Sequence, residues 1–142
     1  MAPDDTRALA TRYMELLDHH DLDGAVALCT PDCVWHGFGP EPVDGRGFLL
    51  WMHALLEGFP DARFPVDDLV VEGNTAANRH RMVGTHSGPF QGIPPTGKQV
   101  TVEGMDVVHC AGKQIQEFWL TADVLGLLQQ VGAIPQSQAT ST

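Results

Sequence analysis

Three side chains stand where their chemistry would matter: Asp106, Asp123 and His86. Asp106 lies in an alternating run with Val100, Val102, Gly104 and Val108, so a strand here puts it on an apolar face. A carboxylate on such a face is costly unless it is paired or used. Either a neighbouring strand satisfies it, or it is a pocket group that orients water or substrate, with a pKa split from that of Asp123. Asp123 directly precedes a helical pattern, the position of an N-cap whose carboxylate accepts backbone N–H bonds. His86 sits in G-T-H-S-G, before a rigid corner at Ile93, Pro94 and Pro95. Its imidazole either bonds the loop backbone or donates to a substrate carbonyl or enolate oxygen.

Around these three, Trp35, His36, Trp51, Phe59, Phe90 and Trp119 are candidate pocket walls, with His53 and Met105 beside them. His36, next to Trp35 on a short strand, is the better polar candidate. On the strand that ends at His86, His80 and Met82 share one face, while Arg79 and Arg81 take the other. Alternation does not say which face looks inward; an inward Arg79 would sit over an enolate. No nucleophile elbow, phosphate loop, dinucleotide fingerprint or H-E-x-x-H zinc motif is present. Cys29, Cys33 and Cys110 have no zinc-ligand spacing and read as reduced thiols, with Cys33 in the core.

Helical spacing predicts an amphipathic helix over 4–18, a short one over 21–29 ended by Pro31, and a third over 48–59. Strands are predicted over 33–37, 64–71, 76–86, 99–110 and 114–121, the last two joined by a tight turn at 111–113. A helix over 124–131 stops at Gly132. Helices first and hairpin strands afterwards imply an α+β fold: N-terminal helices packed in a strongly curved, mostly antiparallel sheet around an internal pocket, with a short C-terminal helix. The 142 residues fit a single domain, its core at about 6–135 and a frayed polar tail at 136–142. A net charge of −10 with no Lys/Arg cluster argues against nucleic acid and anionic membranes as partners. No apolar run approaches the roughly 20 residues of a membrane span. The polar start, M-A-P-D-D-T-R, together with three cysteines, predicts a cytoplasmic protein.

Two segments, G-T-H-S-G-P-F-Q-G-I-P-P-T-G-K (Gly84 to Lys98) and E-F-W-L-T-A-D-V-L-G-L-L-Q-Q-V-G-A (Glu117 to Ala133), resemble the SnoaL-like polyketide cyclases of the nuclear transport factor 2-like, cystatin-like superfamily. The resemblance spans about Thr6 to Pro135. It implies cofactor-free acid/base chemistry: an intramolecular aldol cyclisation of a polyketide-like or polycyclic, hydrophobic small molecule in antibiotic biosynthesis. It implies that Asp123 is the general acid/base, assisted by His86 and Asp106; Asp106 falls near a position where the family pattern has a pocket His. It implies a homodimer. The same superfamily leaves alternatives open. Tyr13, the only tyrosine, fits an isomerase. Asp106, Arg79 or Arg81, and Asp123 could mimic an Asp-Arg-Asp epoxide-opening set. A non-catalytic ligand-binding or dimerisation module is a further alternative.

Overall fold

A computed structural model describes residues 3–135; the tail expected to fray, 136–142, lies outside the described residues. Helix α1 (Pro3–Asp18) is followed by α2 (Leu22–Ala27), β1 (Cys29–His36) and α3 (Gly45–Gly58). Then come β2 (Val66–Glu72), β3 (Thr75–Thr85), β4 (Gln99–Ala111), β5 (Gln114–Ala122) and α4 (Val124–Gln130). The strands form one sheet in the order β1-β5-β4-β3-β2, with β1 and β5 parallel and the other pairs antiparallel. This is the expected α+β architecture.

Two boundaries differ from the periodicity reading. Asp21 caps α2, which stops at Ala27; the chain enters β1 at Cys29, before Pro31. Strand β1 absorbs Pro31 in a register shift between Cys29 and Val34, where no ladder hydrogen bond is required of it. Helix α3 begins at Gly45 because the Asp44 carboxylate accepts the Gly47 N–H at 2.9 Å.

The two long central strands position the site. In β4 the buried positions are Val100, Val102, Gly104, Asp106, Val108 and Cys110; in β3 they are Ala76, Asn78, His80, Met82 and Gly84. Cross-strand pairing places Asn78 opposite Asp106 and His80 opposite Gly104. Polar side chains therefore interrupt the apolar concave face at one place. Tyr13 of α1, Trp35 of β1, Phe48 of α3 and Phe118 of β5 pack beside it as an aromatic core, with Trp35 stacked on Phe48 at 4.9 Å. Helix α4 closes the edge that β4 leaves free before its pairing with β5 begins at Gly104: the Gln130 side chain accepts the Thr101 N–H at 2.8 Å and donates to its carbonyl at 2.9 Å.

Candidate active site

The curved sheet and helices α1, α3 and α4 line a cavity of about 90 Å³ that opens to solvent. Its walls are almost wholly apolar, and aromatic where Tyr13, Phe38, Phe48, Phe64 and Phe118 meet. Glu103 and Gln91, both exposed, border it. The polar groups set into its buried wall are Asp106 and His80, with the Tyr13 hydroxyl nearby.

Asp106 is 4% exposed. Loss of solvent pushes its pKa up to about 7, against a smaller opposing effect of the Asn78 amide, whose Nδ2 donates to Oδ2 at 3.2 Å. His80 Nδ1 lies 3.4 Å from the same oxygen but out of hydrogen-bond alignment. Burial lowers the His80 pKa below the usual imidazole value. Near neutrality the imidazole is thus uncharged, while the carboxyl exchanges its proton readily. Gly104 makes this juxtaposition possible: a Cβ there would stand 3.1 Å from His80 Nε2. The Tyr13 hydroxyl accepts from Trp35 Nε1 at 3.4 Å, and burial raises its pKa well above the ordinary value. It therefore remains a donor at any working pH.

The other expected site residues fall into different places. Asp123 is exposed and lies outside the cavity lining. Its carboxylate accepts the Gly126 N–H at 2.8 Å and caps α4, folded over a glycine whose Cβ would collide with it. Its position is that of the cap, not of a pocket acid. His86 is fully buried outside the cavity lining, stacked on Phe59 at 5.2 Å, with Nδ1 2.9 Å from Thr96 Oγ1. It anchors the loop before β4 instead of facing a substrate. Trp51 and Phe90 do line the cavity. Trp35 and Phe59 are core residues behind it.

Arg79, His36 and Trp119 lie on the opposite, outer face of the sheet, because strand alternation gives the inner face to the other parity. There Arg79 pairs with Asp68 at 2.7 Å and Arg81 with Asp67 at 2.9 Å. His36 stacks on Trp119 at 5.1 Å and bonds Glu117 at 2.7 Å. Met105 and His53 are exposed, away from the lining. The Asp-Arg-Asp set is accordingly not assembled. His80 and Asn78 are the inner-face groups absent from the expected site; their shared parity with Met82 was the signal that could have found them.

The sequence profile of the SnoaL-like polyketide cyclases matches residues 7–131. The chain belongs to this family. Among solved structures, IdmH of Streptomyces antibioticus, described as a candidate polyketide cyclase, is 30% identical, with a TM-score of 0.78 over 93% of this chain and 99% of that one. TsrD of Streptomyces laurentii is 25% identical, with a TM-score of 0.80 over 94% and 99% of the two chains. AclR of Streptomyces galilaeus, a candidate hydroxylase, has a TM-score of 0.90 over 99% of this chain and 88% of that one; at 24% identity it attests the fold alone. No curated protein sequence matches the chain. The fold these structures share with this chain is the one described above, helices packed in a curled five-stranded sheet. None of the described helices is long and apolar enough to cross a membrane.

Proposed function

We propose that this SnoaL-like protein is an acid/base enzyme whose proton-transfer group is Asp106, acting on an uncharged, hydrophobic polycyclic or polyketide-like molecule. The observation that carries the reading is one carboxyl group, held near pKa 7 by burial, in the wall of an apolar, aromatic-lined cavity that opens to solvent. The reaction is an intramolecular aldol cyclisation needing no cofactor. Ionised Asp106 takes an acidic C–H proton from a carbon flanked by carbonyl groups. The carbanion attacks a ketone carbon of the same molecule, forming the C–C bond. Asp106, now protonated, returns the proton to the resulting alkoxide. Neutral His80 and Tyr13, which line the same cavity, hydrogen-bond the oxygens where charge develops.

This assigns to Asp106 the role that the family resemblance suggested for Asp123. With an anthraquinone-type keto-ester as substrate, Asp106→Asn is expected to lose at least about 10²-fold in kcat, and Asp123→Asn no more than a few-fold. In the wild type, kcat/KM should rise with pH through about 7 and then level off, since the base must be ionised. An Asp106→Asn variant that keeps its rate would sink the assignment.

A second reading is isomerisation. It is favoured by one observation: the Tyr13 hydroxyl and a readily protonated Asp106 share one cavity and together form a donor pair for an enolate. We also propose that the protein acts in the cytoplasm and that it pairs with a second copy of itself through the outer sheet face, where Val70 and Met105 are exposed.

A further inference from the structure

We propose that Asn78 is a positioning residue that fixes which oxygen of Asp106 carries the transferred proton. This rests on the reading of Asp106 as the acid/base group.

Asn78 is 3% exposed and stands directly across the β3–β4 ladder from Asp106. Its Nδ2 donates to Oδ2, on which His80 Nδ1 also converges at 3.4 Å. Among the described residues the other oxygen, Oδ1, has no hydrogen-bond partner, and it is not among the fully buried unpartnered atoms. It is therefore the oxygen that opens on the cavity that Asp106 lines.

The amide makes the two oxygens unequal. An N–H pointing at Oδ2 favours a carbonyl or a negative charge there, because a hydroxyl hydrogen on the same side would meet the amide hydrogen. The neutral acid keeps its O–H on Oδ1, facing the substrate. When the proton leaves, the amide remains as a donor to the carboxylate and offsets part of the burial effect. The Asn78 Oδ1 atom supports a dedicated role. It is buried with no partner, a cost that an aliphatic residue such as Ala76, two positions earlier on the same face, does not carry.

The titratable groups around Asp106 are His80 on β3, Tyr13 on α1 and, bordering the cavity, Glu103 on β4; α3, α4 and β5 present only uncharged side chains to the cavity. None of the three donates to Oδ2, so the amide is the group whose removal isolates the effect.

The experiment is a carbon-13 NMR titration of the labelled Asp106 carboxyl, assigned by its loss in Asp106→Asn, in the wild type and in Asn78→Leu. Infrared spectra of the protonated carboxyl are recorded alongside. Asn78→Leu is expected to raise the Asp106 pKa by about one unit or more and to move its C=O stretch to higher frequency. The acid limb of kcat/KM should move to higher pH by the same amount, with KM changed less than about threefold. Asn78→Ala supplies the same readings if the leucine variant does not fold. A carboxyl pKa and C=O stretch unchanged in the folded variant would overturn the inference, whatever the activity. Full activity in Asp106→Asn would overturn the acid/base reading instead, so the two failures are told apart.

Discussion

Asp106 is the residue at which stability and function oppose each other. Its ordinary carboxyl pKa of 3.8 rises to about 7 on folding because solvent is lost. Between these values the native state binds more protons than the unfolded one. Stability therefore falls as pH rises from about 4 to about 7, and stays reduced above. Asp106→Asn removes the ionisation and keeps the shape. It is expected to be more stable than the wild type at pH 8, by on the order of a few kcal/mol, with the difference vanishing below pH 4. Urea unfolding at both pH values checks this. The residue types at this scale were legible early, since an Asp among valines on a strand is conspicuous. The partners were not: what Asp106 touches depends on β3 aligning Asn78 and His80 against it.

At the scale of elements, the cavity depends on α1 lying across the sheet, and Asp18 ties the end of that helix down. Its carboxylate accepts the Phe64 N–H at 2.8 Å and the Arg63 Nε–H at 2.9 Å, joining α1 to the segment that leads into β2. Arg63 is the chief cause of its pKa being lowered to about 2, with help from the Phe64 N–H. A depressed carboxyl pKa stabilises the fold above the unfolded value of about 4, and that contribution is lost as pH falls through about 2. Asp18→Asn should melt at a lower temperature than the wild type at pH 7, with the gap closing between pH 4 and 2 in thermal scans. The elements themselves follow from apolar period and turn residues, such as the Gly112–Lys113 turn, where both residues have positive φ. The early entry into β1 was hidden because Pro31 reads as a helix stop, whereas a register shift accommodates it within a parallel edge strand.

At the scale of the whole molecule, the sheet has two unlike faces. The inner one is covered by helices. On the outer one Val70 is 65% and Met105 56% exposed, beside Val107 and Trp119. Apolar side chains across a sheet face are the material of a two-fold interface. The self-pairing proposed above predicts that Met105→Glu shifts the protein from dimer to monomer in sedimentation velocity. A wild type that sediments as a monomer at micromolar concentration would end the idea. The same outer face carries Arg79, His36 and Trp119, side chains whose types suggest a site but whose parity takes them away from the cavity.

What the sequence by itself determined is whatever depends on neighbours along the chain. Helical and strand periods, turn glycines, the cap position at Asp123, and two family-like segments led to the α+β fold and the SnoaL-like family. Strand parity even separated Arg79 and Arg81 from His80 and Met82. What only the tertiary structure decided is which side of the sheet the helices cover. That choice put His80 inside and the arginines outside, left Asp123 as a cap in solvent, and enclosed Asp106. The physical reason is that strand alternation defines two faces without naming the buried one. A carboxyl group becomes a proton-transfer group only when other elements remove water from around it.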